Sequence, residues 1–300
     1  MREEMQQWAY KAVRATRVGA ERVEHRLAPR SPAGRDAADE PAGGHPPAPF
    51  VPFPLAPGQS IDEVRRRAQG RRWFHTFEFA DPATGEQWRL EGYDPTLEKL
   101  KIIGLPERLD GMSVLDIGTY DGFFALESAR RGGDVLATDS FSWLFPGEDA
   151  YGNFHIVLEA TGLAVREQTI AVEDLSPEAT GGPFDVVLFF GVLYHAPDPL
   201  GYMRRVRSVT KGHALVETVV DLLDIDRPAL AYYPGAYLNG DPTNHFGPNL
   251  AAVEGLAIDA GFSRVEHLAT WSPDLVEHLT GRPTPEGPPR SGRAVFRCSV

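Results

Sequence analysis

Short apolar runs alternate with stretches of helical spacing along the chain from Met112 onward. The runs are rich in Val, Leu, Ile and Phe, which is typical of strands that are buried on both faces. The predicted strands are Ser113–Ile117, Asp134–Thr138, Val165–Ile170, Phe184–Phe190 and His213–Val219. Because helical segments separate consecutive strands, the pattern predicts a parallel sheet that is covered by helices on both faces.

The regular pattern is interrupted after the fifth of these strands. Residues 220–247 are rich in proline and glycine, which indicates an inserted loop. A helix over Leu250–Ala260 and strands over Arg264–Leu268 and Ala294–Cys298 complete the predicted domain.

Upstream of Met112 the pattern is less regular. Helices are predicted over residues 2–27, 61–69 and 95–103, a strand over 73–80, and a linker or extended wrap over the proline-rich residues 28–58. The predicted divisions are an N-terminal helix and linker (1–58), a cap region (59–110), and a main domain (111–300) that carries the insertion 220–247.

Composition narrows the class of protein. The net charge of -12 argues against broad, sequence-independent nucleic-acid binding, which needs a basic face. A single cysteine, Cys298, cannot form an internal disulfide and suits a reducing compartment. The longest apolar run, Val186–Tyr194, is too short to span a bilayer, which takes about 20 residues. These features predict a soluble, cytoplasmic protein without a membrane partner.

A glycine-containing turn follows the first strand of the regular pattern, in the stretch VLDIGTYDGFF. Gly118 and Gly122 lie where the strand gives way to a helix, and glycine allows a backbone to approach a ligand closely. The second strand ends in Asp139, and an acid at that place can accept hydrogen bonds from the hydroxyls of a ribose. The turn and the acid together predict a nucleoside-containing ligand, either a dinucleotide or S-adenosylmethionine.

The other residues of the turn discriminate between a dinucleotide and S-adenosylmethionine. A pyrophosphate favours a further glycine where this chain has Tyr120, and Asp116 and Asp121 would repel phosphate. A sulfonium cation with an amino-acid tail favours carboxylates close to its ammonium group. The acidic turn therefore favours S-adenosylmethionine.

From about Lys99 to the C-terminus the chain resembles the class I S-adenosylmethionine-dependent methyltransferases. VLDIGTYDGFF is similar to the first motif of that family, and VLATDS is similar to the second, in which Asp139 would bind the ribose. The resemblance implies an α/β fold with a Rossmann-like, seven-stranded, mostly parallel, doubly wound sheet whose last strand is antiparallel. In this chain a helical N-terminal extension precedes it. The implied cofactor is S-adenosyl-L-methionine.

The expected cofactor-binding residues lie in the glycine turn, beyond the second and third strands, and at two tyrosines expected to close over the cofactor. They are Tyr93, Asp116, Gly118, Thr119, Tyr120, Gly122, Asp139, Ser140, Val172 and Glu173.

Candidate catalytic residues follow the fourth and fifth strands. Tyr194 and His195 come after the fourth strand, and a neutral His195 can accept a proton from an oxygen or nitrogen nucleophile. The alternative for His195 is a histidine that packs or caps the next helix. Glu217 ends the fifth strand among apolar neighbours, where burial raises the pKa of a carboxylate unless it is paired. It is therefore either a base or substrate ligand, or an ion-paired acid near Arg293.

The segments GVLYH, LVET, YPG and TN…PN resemble a subgroup, the tRNA wobble-uridine carboxymethyltransferases. That subgroup uses a carboxylated form of S-adenosylmethionine. A tyrosine and a C-terminal arginine hold the extra carboxylate, and they would fall on Tyr194 and Arg293. The subgroup also uses a lysine upstream of the sheet, where the comparable stretch GRRWFHTFEF has arginine and tryptophan.

The insertion supplies aromatic and amide side chains that suit a small, partly aromatic acceptor, with ordinary loop polarity as the alternative. Tyr237, Asn244 and Arg293 are the predicted substrate-binding residues. The histidines lack the close spacing that is typical of metal ligands, so no metal is predicted.

The sequence thus predicts a methyltransferase that acts on an O, N or C nucleophile of a small molecule in specialised biosynthesis. One alternative is a tRNA wobble-uridine (carboxy)methyltransferase, although a tRNA acceptor is disfavoured by the acidity of the chain. The other is a non-catalytic, cofactor-binding partner subunit, in which the basic N-terminal helix would recognise the partner. Self-association into a homo-oligomer is left open by the sequence.

Overall fold

The computed structural model describes residues 50–145, 147, 149–271 and 291–300. The predicted helix over residues 2–27 and most of the predicted linker lie outside these ranges. The end of that linker, from Phe50 to Gly58, is described and packs against the rest of the chain, with Phe53 fully buried.

A small three-stranded sheet precedes the main domain. Its strands are β1 (Phe53–Pro54), β2 (Phe77–Ala80) and β3 (Gln87–Leu90), of which β1 runs parallel and β3 antiparallel to β2. Two helices belong to the same region, α1 (Ile61–Ala68) and α2 (Thr96–Leu100). The hydroxyl of Ser60 accepts a hydrogen bond from the amide of Glu63 and so caps the start of α1.

The remaining strands begin with the first strand of the regular sequence pattern. They are β4 (Ser113–Ile117), β5 (Asp134–Asp139), β6 (Val165–Thr169), β7 (Phe184–Phe190), β8 (Thr210–Val220), β9 (Leu230–Tyr232), β10 (Phe246–Pro248), β11 (Arg264–Trp271) and β12 (Gly292–Ser299). In the described part of the chain, seven of them form one sheet in the order β11-β12-β8-β7-β4-β5-β6. Strands β4 to β8 pair in parallel, and β12 runs antiparallel to both of its neighbours. The predicted Rossmann-like fold is confirmed.

Helices cover both faces of this sheet. They are α3 (Phe123–Arg130), α4 (Phe141–Leu144), α5 (Ala150–Thr161), α6 (Pro177–Thr180), α7 (Pro199–Ser208) and α8 (Leu250–Asp259), with short 3-10 helices at Val172–Asp174 and Leu193–His195. No helix in the described ranges is long and apolar enough to cross a membrane.

The predicted strand over residues 73–80 is wrong in its first half. Only Phe77–Ala80 pairs as a strand. The amides of Phe74 and His75 donate instead to the carboxylate of Asp121, at 2.9 and 3.1 Å. A buried carboxylate accepts such charge-assisted bonds strongly, so it replaces a neighbouring strand as the partner of these amides.

An aromatic cluster joins the small sheet to the main domain. Phe123, at the start of α3, contacts the rings of Phe53 and Phe77 with centroid distances of 5.7 and 5.5 Å. All three side chains are fully buried and belong to the core on one face of the central sheet. The residues upstream of β4 therefore contribute to the same hydrophobic core as the sheet.

The insertion over residues 220–247 lies between β8 and the end of β10. Its two short strands, β9 and β10, pair antiparallel. The amide of Asp221 donates to the carbonyl of Pro248 at 3.0 Å, and the side-chain amide of Asn249 donates to the carbonyls of Ile225 and Arg227 at 2.7 and 2.8 Å. These bonds hold the insertion at the carboxyl end of β8.

Replacing Phe123 by Ala is expected to lower the free energy of unfolding by about 3–5 kcal/mol, because it leaves a cavity in the shared aromatic cluster. The measurement is chemical denaturation followed by tryptophan fluorescence. Phe141→Ala is the matched control, since that ring is 55% exposed and its loss should cost far less. Equal losses in the two variants would contradict the proposed role of the cluster.

Candidate active site

The glycine turn after β4 is tied to the neighbouring strand. The amides of Gly118 and Thr119 both donate to the carbonyl of Thr138, at 2.8 and 3.0 Å. Gly118 has φ +75°, and a Cβ at this position would lie 2.5 Å from a methyl carbon of Val192. Glycine is therefore required here by the backbone conformation and by the loop that follows β7. The contact also brings the turn beside the segment that carries Tyr194 and His195.

Asp116 is the penultimate residue of β4, and its carboxylate is buried next to this turn. The hydroxyl of Thr119 donates to it at 2.6 Å. Burial raises the pKa of Asp116 to about 6, and the nearby Asp139 carboxylate also raises it. A buried acid under this electrostatic strain is complementary to a cationic ligand.

Asp139, at the end of β5, lies beside the same turn. It accepts hydrogen bonds from the hydroxyl of Ser142 at 2.6 Å, the amide of Ser142 at 3.0 Å and the amide of Tyr120 at 3.1 Å. Burial outweighs these bonds and raises the pKa of the carboxyl group. Ser140, a predicted cofactor-binding residue, directly follows Asp139 and occupies the N-cap position of α4.

Asp121 has a different role from the one that the sequence suggested. Its carboxylate is fully buried and pairs with the ring of His75, as well as with the two amides described above. These bonds join the glycine turn to the residues that precede β2. Gly122 (φ +90°) follows it, with no room for a Cβ because Phe154 lies 2.3 Å from that position.

The other predicted cofactor-binding residues surround the turn or lie beyond β6. The ring of Phe74 contacts those of Tyr93 and Tyr120, with centroid distances of 4.9 and 5.0 Å. In the 3-10 helix after β6, Val172 packs against the core on the second face of the sheet. Glu173 is exposed and accepts a hydrogen bond from the hydroxyl of Tyr202.

Tyr194 and His195 lie on the 3-10 helix after β7, with ring centroids 4.2 Å apart. The Nδ1 atom of His195 lies 3.1 Å from the carbonyl oxygen of Thr243 and 3.0 Å from its hydroxyl. Burial lowers the pKa of His195, and the Asp241 carboxylate opposes part of that shift. The lowered pKa favours the neutral imidazole, which is the form that accepts a proton.

Glu217 is fully buried on β8 and pairs with Arg293 on β12, whose Nε and Nη2 atoms both donate to the carboxylate. Burial alone would raise the pKa of Glu217, but Arg293 and then Lys99 outweigh it and hold that pKa below its usual range. The ion-paired alternative is thus favoured over a catalytic base. The guanidinium of Arg293 also lies over the ring of Tyr194, 5.2 Å from its centroid.

A second buried ion pair belongs to the same cluster and was missed by the sequence analysis. The Nζ atom of Lys99 donates to Asp94 at 2.8 Å, and both side chains are almost fully buried. Burial would raise the pKa of Asp94, but Lys99 and His75 outweigh it and lower that pKa. The only signal in the sequence is that these two oppositely charged residues lie five positions apart, and this spacing alone did not predict a buried pair. We call Asp94, Lys99, Glu217 and Arg293 the ion cluster.

The remaining predicted substrate-binding residues lie in the insertion. Tyr237 is 67% exposed and stacks on Tyr233, with nearly parallel rings 6.0 Å apart. The side-chain amide of Asn244 donates to the carbonyl of Leu238 at 2.9 Å, and its buried Oδ1 has no hydrogen-bond partner among the described residues. Within those same ranges, no group of three or more His, Cys, Asp or Glu side chains is arranged to hold a metal ion.

Comparison with known proteins agrees with this architecture. Residues 99–267, more than half of the chain, match a family described as a methyltransferase domain. The ubiquinone biosynthesis O-methyltransferase of Cereibacter sphaeroides is 32% identical over 114 residues, 38% of this chain and 43% of that protein. The enzyme of the same name from Acinetobacter baumannii (strain AYE) is 32% identical over 130 residues, 41% of this chain and 52% of that protein.

The chain thus spans about half the length of the curated relatives it matches. Among solved structures, the N-terminal domain of EvdMO1 in the presence of SAH and D-fucose is similar, with a TM-score of 0.55 and 20% identity. That match covers 81% of this chain and 98% of the other. At this level of identity the similarity supports the fold.

Replacing Asp139 by Ala is expected to weaken binding of S-adenosylmethionine by about 1.5–3 kcal/mol, the range for hydrogen bonds to a charged group. Isothermal titration calorimetry measures the change. Asp134→Ala, at the exposed start of β5, is the matched control and should bind normally. An unchanged affinity in the Asp139 variant would remove this acid from the cofactor site.

The raised pKa of Asp116 predicts a pH dependence of stability. An acid whose pKa rises from 3.8 to about 6 on folding stabilises the fold below about pH 4, and this contribution is lost as the pH rises through 6. The difference corresponds to about 3 kcal/mol. Asp116→Asn should therefore lose less stability than the wild type between pH 4 and pH 7.5, measured by urea unfolding. A parallel pH dependence in both proteins would show that Asp116 is not perturbed.

Proposed function

This chain belongs to the family of methyltransferase-domain proteins, and we propose that it transfers a methyl group from S-adenosylmethionine to a hydroxyl oxygen of a small molecule. The observation that carries the proposal is the position of His195, whose Nδ1 lies within hydrogen-bond distance of Thr243 on the segment that packs beside the glycine turn. A hydroxyl group is a weak nucleophile until its proton is removed, so oxygen methylation needs such a base.

The residues around the turn fit the cofactor. Asp116 and Asp139 are buried carboxylates with raised pKa values, and a bound cation would relieve the electrostatic cost of ionising them. Asp139 would accept the ribose hydroxyls, while Tyr93 and Tyr120, which contact Phe74, would enclose the ligand. When bound, S-adenosylmethionine supplies a methyl group on a sulfonium sulfur, which keeps the bonding electron pair as the acceptor oxygen bonds to the methyl carbon.

His195 would accept the hydroxyl proton at Nε2, while the electron pair of the O–H bond remains on the acceptor oxygen. Nδ1 contacts a backbone carbonyl, which can only accept a hydrogen bond, so Nδ1 carries the hydrogen and Nε2 carries the lone pair. Burial lowers the pKa of this imidazole, which favours the neutral form that can accept a proton.

Glu217 is disfavoured as the base. A carbon nucleophile would need a carboxylate to take a proton from a cationic product, but both oxygens of Glu217 are engaged by Arg293. The names of the two curated relatives, both O-methyltransferases, also favour oxygen as the methylated atom.

The insertion suits a small acceptor with an apolar face. Tyr232 and Tyr237 expose most of their surface there, and aromatic rings of this kind stack on planar or apolar ligands. The buried, unpartnered Oδ1 of Asn244 would accept a hydrogen bond from a hydroxyl group of the acceptor.

A carboxylated cofactor and a tRNA acceptor are less well supported. The ion cluster contains two cations and two anions, and it is therefore neutral without a ligand. Arg293 already donates from Nε and Nη2 to Glu217, so a further carboxylate beside Tyr194 would compete with Glu217 for the guanidinium. This competition favours ordinary S-adenosylmethionine.

His195→Ala is expected to lower methyl transfer to catechol or D-fucose by about 10²–10⁴-fold, the usual contribution of general acid–base catalysis. Cofactor affinity should be nearly unchanged, and wild-type activity should fall as the pH drops through the lowered pKa of His195. Mass spectrometry of the methylated acceptor measures the transfer. His267→Ala, on the exposed edge strand β11, is the control and should retain activity. Full turnover by the His195 variant would rule out the base.

A further inference from the structure

The tip of the insertion contacts the dipeptide Tyr194-His195 at two points. The amide of His245 donates to the carbonyl of Tyr194 at 2.9 Å. The carbonyl and the hydroxyl of Thr243 both lie within hydrogen-bond distance of Nδ1 of His195. The imidazole is therefore held by residues nearly fifty positions further along the chain.

A third residue determines the direction of these hydrogen bonds. The hydroxyl of Thr243 lies 2.7 Å from Oδ1 of Asp241, and the amide of Thr243 donates to the same oxygen at 2.8 Å. A carboxylate only accepts, so the hydroxyl hydrogen of Thr243 points to Asp241. The hydroxyl oxygen then has only lone pairs for His195. Both groups of Thr243 that face Nδ1 are consequently acceptors.

The charged and titratable groups around His195 come from three elements. Asp241 and His245 belong to the insertion, Arg293 to β12, and Tyr194 to the same 3-10 helix. Asp241 favours the protonated imidazole, whereas Arg293 and His245 disfavour it. Asp241 thus supplies the negative charge that would stabilise the imidazolium after proton transfer.

We propose that Asp241 and Thr243 are positioning residues that orient His195 so that Nε2 accepts the proton of the acceptor hydroxyl. This inference rests on the proposed function. The proton moves from the acceptor oxygen to Nε2, and its former bonding pair stays on oxygen for the bond to the methyl carbon. The other hydrogen stays bonded to Nδ1 throughout and is accepted by the oxygens of Thr243. The loop that would contact the acceptor is then also the element that holds the base.

The turn that holds His195 also contains a predicted acceptor-binding residue. Asp241, Thr243 and Asn244 are close neighbours in one turn, and the amide of Asn244 donates to the carbonyl of Asp241. An acceptor that contacts Asn244 would therefore contact the same turn that holds the imidazole in place. Partners that orient a metal-binding histidine through its second nitrogen contribute about 10–100-fold to metal affinity or activity, and we expect an effect of the same order here.

The test is performed on the full chain with ¹⁵N-labelled histidine. Two-bond ¹H–¹⁵N correlation spectra report which ring nitrogen of His195 carries the hydrogen, and the His195→Gln spectrum identifies its signals. The wild type should show the Nδ1–H tautomer at pH 7.5. In Asp241→Asn the imidazole should titrate at a lower pH than in the wild type. The control Asp226→Asn, an exposed acid of the same insertion, should leave the titration unchanged.

Kinetics then separate positioning from folding. Thr243→Val and Asp241→Asn should lower kcat with catechol or D-fucose by about 10–100-fold, with affinity for S-adenosylhomocysteine kept within about twofold. Thr243→Ser keeps the hydroxyl and should restore kcat. An Nε2–H tautomer in the wild type, or an unmoved titration in folded Asp241→Asn, would overturn the inference. Full turnover by His195→Ala would instead defeat the proposed function, while the spectra would still report on the orientation of the ring.

Discussion

The ion pair between Glu217 and Arg293 connects the parts of the site to the sheet. In the antiparallel register of β8 and β12, Arg293 lies opposite Val219 and Glu217 lies opposite Val295, so the two side chains are diagonal neighbours on one face. Removing one member of a buried pair costs about 3–5 kcal/mol, since it leaves the other charge unpaired. The pair also fixes the guanidinium over the ring of Tyr194, and thereby the segment that carries His195.

Residues upstream of the main sheet complete the site rather than merely preceding it. Lys99 and Asp94 form half of the ion cluster. The pair of His75 with Asp121 joins the glycine turn to the residues that precede β2. The aromatic cluster around Phe123 buries the connection. The pair of His75 with Asp121 and the aromatic contacts of Phe123 therefore both join the glycine turn and the start of α3 to the residues upstream of the sheet. These contacts explain why the turn can contain two glycines and still hold one conformation.

The sequence predicted what depends on local pattern. Buried runs such as Phe184–Phe190 formed the expected strands because their apolar residues leave few alternatives. It offered the pair of Glu217 with Arg293 only as one of two alternatives. It did not predict the pair of His75 with Asp121, because these residues lie 46 positions apart and meet only in the folded chain. The half-strand at residues 73–76 was mispredicted because one carboxylate captured its amides. The bonds that link Asp241 and Thr243 to His195 were not predicted, although DPT is a typical turn sequence whose side chains bond to nearby amides.

The place of β12 in the sheet bears on how the protein is made. It is the last of the described strands along the chain, yet it lies between β8 and β11. Until residues 292–299 have been synthesised, β8 lacks its neighbour β12 and Glu217 lacks its arginine partner. Native pairing at the centre of this half of the sheet must wait for residues 292–299 to emerge. Completion of the sheet therefore depends on residues far along the chain from β8, and a nascent chain stalled before Arg293 would present an exposed strand edge to chaperones.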